Sequence, residues 1–103
     1  MRGEIYRLRV VRDSRGHEQS GSRYAVVVQS DLLPLSTWLV ASTSTSARPA
    51  SFRPEIEVQG CLTRVLAEQT AAVDPERLGA AAGRLTLQEL RQVEAALRLV
   101  LSL

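Results

Sequence analysis

The sequence predicts a mainly β (α+β) fold, a small antiparallel barrel with one C-terminal α-helix packed against it. Two observations carry this. Short segments with apolar residues at every second position recur along most of the chain, separated by turn formers such as Gly16, Gly21, Pro34, Pro54 and Gly60. The last segment then switches to helical spacing, and a run of strands closed by one helix packs as a layer on a curled sheet.

Residues 4–11 alternate, with Tyr6, Leu8 and Val10 on one face and Ile5, Arg7, Arg9 and Val11 on the other, the pattern of a half-buried strand. Residues 12–22 form a polar loop in which Gly16 and Gly21 supply turn conformations; loops of this length in compact domains are often functional. Residues 24–30 (Tyr-Ala-Val-Val-Val-Gln-Ser) read as a strand apolar on both faces, so Arg23 stands at the mouth of a rigid element. Residues 37–43 make a second apolar strand, which runs into hydroxyls at Ser42, Thr43, Ser44, Thr45 and Ser46. Pro49 and Pro54 keep the following loop out of any central ladder.

Residues 55–58 alternate charged and apolar side chains as an exposed strand, and Gly60 turns the chain. Residues 62–73 hold one or two strands. Asp74-Pro75-Glu76 has the form of a helix start that opens only a short turn, since Gly79 follows. Thr86-Leu87-Gln88-Glu89 matches a capping box, and Leu90, Val93, Leu97 and Val100/Leu101 recur at helical spacing, predicting a helix over 87–101. Glu94 and Arg98 are spaced as an i,i+4 pair on its wet face.

The length of 103 residues predicts a single domain over 1–103. A domain this small buries only about two thirds of its unfolded surface, so dimerisation would help it. The four aromatic residues, Tyr6, Tyr24, Trp38 and Phe52, are too few for a base-stacking platform. Trp38 and Phe52 read as core or interface residues.

All thirteen basic residues are arginine; coding bias is the better explanation of this than function, and the net charge of +2 is too small for general grip on nucleic acid. Any anion site is therefore local. The lone Cys61 excludes an intrachain disulfide and points to a reducing compartment. No signal peptide and no apolar run of about 18 residues is present, so a cytoplasmic protein without a membrane segment is expected.

With one histidine, His17, and one cysteine there is no metal-ligand spacing, and no glycine-rich strand-to-helix loop binds a nucleotide. No cofactor is expected. One reaction suits the residues that remain. RNA carries its own nucleophile, the 2′-hydroxyl, and cleavage then needs charge stabilisation at phosphorus, for which a fixed guanidinium is suited. Arg23 and the hydroxyls ending the second apolar strand can supply it. The competing reading pairs Arg23 with a carboxylate and leaves the hydroxyls capping turns.

At these residues the chain resembles the MazF/PemK toxins of bacterial type II toxin–antitoxin systems. Arg2-Gly3-Glu4-Ile5-Tyr6 is similar to the family's opening, and Gly16-His17-Glu18-Gln19-Ser20-Gly21-Ser22-Arg23 to its Gly-Ser-Glu-Gln-x-Gly-x-Arg loop. The strand from Ala25 to Asp31, Glu68-Gln69, Asp74-Pro75-Glu76-Arg77-Leu78-Gly79 and Gly83-Arg84-Leu85 continue the match. The resemblance implies an SH3-like barrel and a homodimer. It also implies a metal-independent, sequence-selective endoribonuclease that cleaves single-stranded RNA to a 2′,3′-cyclic phosphate and a 5′-hydroxyl. A cognate MazE-like antitoxin with an acidic C-terminal tail would neutralise it.

By the same resemblance the catalytic pair maps to Arg23 and Ser44, with Thr43 the hydroxyl if the register is shifted by one. Glu18 is either the base for the 2′-hydroxyl or an ion-pair partner of Arg15 or Arg23. His17, Gln19, Ser20, Thr43 and Thr45 are candidate RNA contacts. Three positions depart from the family pattern: Tyr24 and Ser42 stand where proline is usual, and Ser44 where threonine is. A non-catalytic gyrase-poison toxin of the same fold, or a homologue acting only through antitoxin binding, is the alternative.

Overall fold

The structure is a computed structural model and describes residues 1–9 and 23–103. Seven strands, β1 (Glu4–Leu8), β2 (Tyr24–Val27), β3 (Trp38–Ser44), β4 (Glu55–Val58), β5 (Cys61–Val65), β6 (Ala71–Val73) and β7 (Leu78–Arg84), precede helix α1 (Leu87–Leu101). Every pairing is antiparallel, in the order β4-β5-β3-β2-β1-β7, with β6 also on β3. The result is a curled half-barrel with the helix packed against it, as expected for the fold class.

Both faces of β2 are buried. Val26 joins Ile5, Ala41, Ile56, Val58 and Val65 in the larger cluster, onto which α1 lays Val93 and, half-buried, Leu90 and Leu97. Ala25 and Val27 face the other way, into a smaller cluster with Val40 and Leu78, flanked by Tyr6 and Trp38, whose ring centroids lie 5.9 Å apart.

β4 and β5 are joined by Gln59-Gly60, both at positive φ (50° and 84°), the two-residue hairpin turn that matches strand twist. The helix opens on the expected capping box: Thr86 Oγ1 accepts from the Glu89 N–H at 3.1 Å, and Glu89 Oε1 accepts from the Thr86 N–H at 2.9 Å. Glu89 Oε2 also accepts from the Glu57 N–H at 2.9 Å, tying the helix start to β4. Glu94 does not pair with Arg98; its carboxylate lies 3.5 Å from Arg2 instead, because the N-terminal segment runs beside that face of the helix.

The expected 62–73 stretch resolves into β5, a 3₁₀ turn (Ala67–Gln69) and β6. Asp74 caps a second short 3₁₀ turn (Pro75–Arg77), its carboxylate accepting from the Glu76 N–H. β7 was not legible: Leu-Gly-Ala-Ala-Ala-Gly-Arg has no strand-forming bulk. It is a strand because β1 pairs along it, and a Cβ at Gly79 would come within 3.2 Å of the Arg7 carbonyl oxygen. Small residues permit that approach.

Gln29, 8% exposed, holds the turn after β2: its amide donates to the Leu33 carbonyl at 2.8 Å, and its Oε1 accepts from the Leu39 N–H at 3.0 Å. Gln29→Leu strands two polar groups and is expected to cost about 1–3 kcal/mol in urea unfolding, whereas Leu32→Ser, at a fully open position, changes stability by less than about 0.5 kcal/mol.

Candidate functional site

Arg23 sits immediately before β2, exposed, with its carbonyl accepting from the Leu8 N–H at 2.9 Å. Its backbone is thus fastened to β1 while its guanidinium is free to reach outward. Among the described residues no ion pair engages it. The alternative in which Arg23 is sealed against a carboxylate finds no support there.

The ladder between β2 and β3 decides which hydroxyl it meets. Ala25 faces Ser42, Val26 faces Ala41 and Val27 faces Val40. One step further, Tyr24 meets Thr43: the Thr43 hydroxyl accepts from the Tyr24 N–H at 3.3 Å and donates to the Tyr24 carbonyl at 3.2 Å. Arg23 lies one residue before β2, past the last paired position of this ladder, and Ser44 is the last residue of β3.

Thr43, expected among the RNA contacts, is 1% exposed and its hydroxyl is occupied on both sides by Tyr24. It faces the core, not a groove, because alternation turns it away from the Ser44 side. Ser44 is half-buried, its hydroxyl 3.2 Å from that of Ser46 and accepting from the Ser46 N–H at 3.3 Å. Thr45 is exposed at the end of the strand. Glu18, His17, Gln19 and Ser20 lie outside the described residues.

On the far side of β3 the sheet continues with arginine. Ser44 pairs with Arg64 of β5, and Arg64 with Glu55 of β4. Arg64 donates to the Arg53 carbonyl at 2.8 Å. The nearby Arg53 forms a close, half-buried ion pair, its two nitrogens 2.6 and 2.8 Å from Glu68 Oε2. Burial raises the affinity of Glu68 for a proton, but the hydrogen bond from Arg53, a backbone N–H and the Arg53 charge outweigh it and hold the carboxyl below its ordinary 4.5. Neither arginine was singled out in the sequence. Arg64 shows there only as one polar residue between Thr63 and Val65.

Among the described residues no group of three or more His, Cys, Asp or Glu is placed to hold a metal, and no helix is long and apolar enough to cross a membrane.

The fold is shared with solved structures, and the class of protein follows from the sequence matches. A mycobacterial endoribonuclease solved in complex with its cognate antitoxin superposes with a TM-score of 0.81 at 18% identity, over 100% of this chain and 95% of that one. MazF from Deinococcus radiodurans gives 0.76 at 21% identity, over 99% and 96%. In sequence, the chain is 49% identical over 73 residues to a candidate toxin of Mycobacterium tuberculosis, covering 71% of this chain and 69% of the other. Residues 1–101 match the PemK-like, MazF-like toxins of type II toxin–antitoxin systems, and the chain belongs to that family.

Two outcomes test the local chemistry. Thr43→Val is isosteric but leaves two Tyr24 backbone groups without their hydroxyl partner; it should cost about 1–3 kcal/mol by chemical denaturation, and Thr43→Ser distinctly less. Because the Glu68 carboxyl is held low in the fold, its contribution is complete above pH 4.5 and is lost as pH falls through the lower folded value. The Tm advantage of wild type over Glu68→Gln should therefore shrink below pH 4.5 and stay flat above it.

Proposed function

We propose that this chain is a metal-independent, sequence-selective endoribonuclease acting on single-stranded RNA as the toxin of a toxin–antitoxin pair. The observation that carries the reading is the exposed Arg23 at the entrance of β2 beside the strand that ends in Ser44; carried two residues past its last pair, the β2–β3 register would set the two opposite each other. Preorganised donors aimed at developing charge are usually the largest catalytic term. Ser44 ends a strand and Arg23 directly precedes one, its carbonyl bonded to the Leu8 N–H, so little reorganisation is needed when charge develops.

The 2′-hydroxyl oxygen attacks the adjacent phosphorus as its proton is removed, and the bond to the 5′-oxygen breaks. The products are a 2′,3′-cyclic phosphate and a 5′-hydroxyl, so one proton leaves the 2′-oxygen and one reaches the 5′-oxygen. Arg23 binds the phosphorane oxygens as a fork. The Ser44 hydroxyl donates to the same charge. Glu18 takes the 2′-hydroxyl proton, with His17, Gln19, Ser20 and Thr45 as further RNA contacts. Thr43 acts behind them, pinning Tyr24.

A cognate antitoxin with an acidic tail is the matching partner, since such a tail can cover the guanidinium of Arg23. A homodimer is supported by apolar surface beside β3: Leu32, Leu33, Leu35 and Leu39 are 88%, 52%, 49% and 38% exposed.

In EDTA, wild type should cleave RNA and leave 5′-hydroxyl ends. Arg23→Ala should lower the single-turnover rate by about 100-fold or more and Ser44→Ala by at least about 10-fold. Full activity in Arg23→Ala, or a requirement for Mg²⁺, defeats the mechanism; inhibition of DNA supercoiling without RNA cleavage moves the chain to the gyrase-poison class.

A further inference from the structure

The geometry points to Arg64 as a second phosphate-binding residue, holding the backbone phosphate next to the scissile one. This rests on the ribonuclease reading and extends its site across β3. Ser44 has two cross-strand neighbours, Arg23 by continuation of the β2 register and Arg64 directly on β5. All three project from one face. Strands lie about 4.8 Å apart, so the two arginine backbones flank Ser44 with about 10 Å between them. Side chains as long as arginine's can converge across that gap on successive phosphates of one strand.

The state of the Arg64 side chain fits the role. It is 24% exposed and braced by its hydrogen bond to the Arg53 carbonyl at 2.8 Å. Its counter-charge is loose: Glu55 is 3.7 Å away and 50% exposed. A guanidinium has five donor hydrogens, and these contacts engage a minority of them. Arg53 cannot substitute, because Glu68 holds it at 2.6 Å. An open groove of about 460 Å³ passes Arg53, Glu55 and Arg64 and is bounded on its other side by Gln92 and Ala95 of α1, so Arg64 stands between this groove and the strand end at Ser44. A phosphate entering it meets a preplaced fork whose only nearby carboxylate among the described residues is weakly held.

The test compares wild type and Arg64→Gln on a short RNA containing the cleaved sequence. The same RNA is also made with a neutral methylphosphonate at the phosphate on either side of the scissile one. Arg64→Gln should raise KM about 10-fold with kcat preserved. The slope of log(kcat/KM) against log[salt] should flatten by about 0.7, the loss of one single-strand phosphate contact. One of the two methylphosphonates should impose the same KM penalty on wild type and none further on Arg64→Gln. Glu55→Gln, which removes the competing carboxylate, should lower KM. Arg64→Lys keeps the charge and should keep the salt slope, which covers the case in which the glutamine variant melts early.

A wild-type KM and salt slope in Arg64→Gln, or a loss unaffected by the flanking phosphate's charge, reduces Arg64 to a brace for the Arg53 carbonyl and leaves the nuclease intact. Absence of cleavage by wild type overturns both.

Discussion

The site depends on the register of β2 against β3, and apolar packing alone does not set it. β2 is a run of alanine and valine buried on both faces, so sliding it by one residue would exchange one apolar surface for another. Polar pins at the two ends remove that freedom. At one end the Thr43 hydroxyl bridges the N–H and carbonyl of Tyr24. At the other, Gln29 accepts from the Leu39 N–H while Leu39 accepts from the Val28 N–H at 3.0 Å. Both pins specify the same alignment. A slip would strand buried donors and acceptors, each costing about 1–3 kcal/mol.

The first of these pins accounts for one departure from the family pattern. Proline at position 24 would fix φ but could not donate to Thr43. Tyrosine leaves φ freer and supplies the N–H that the threonine hydroxyl uses. At position 42 the serine carbonyl accepts from the Leu66 N–H at 2.9 Å, which draws the chain after β5 alongside β3; a proline carbonyl could do the same, and nothing in the structure explains the serine there. At position 24 the conformational restriction that proline would impose is met by hydrogen bonding, which ties the entrance of β2 to β3.

How much of this could be read from the sequence divides by the range of the signal. The helix from Leu87 to Leu101 was legible because its capping box and apolar spacing are local. The exposed strand Glu55–Val58 was legible because its alternation is one-sided. β7 was not, since alanine and glycine declare a strand only through the partner that pairs with them. At the site, Arg23 could be picked out by its place before a buried strand. The choice between Ser44 and Thr43 could not be made, because it turns on which face each residue occupies. Arg64 is silent for the same reason: its significance is the strand opposite, and only the ladder supplies that.

A net charge of +2 gives this chain little long-range pull on RNA, so the proposed recognition would have to come from a few well-placed guanidinium groups. The sheet provides places of graded freedom. Arg53 is neutralised by Glu68 and stiffens the loop before β4; Arg64 is braced but only loosely countered; Arg23 is exposed at a strand mouth. The least neutralised of the three among the described residues is thus the one at the entrance of β2, where the proposed reaction develops its charge. An antitoxin carrying carboxylates would compete for the same loosely countered groups as RNA does, so a single surface can serve both cleavage and its control. That economy suits a domain too small to build two separate sites.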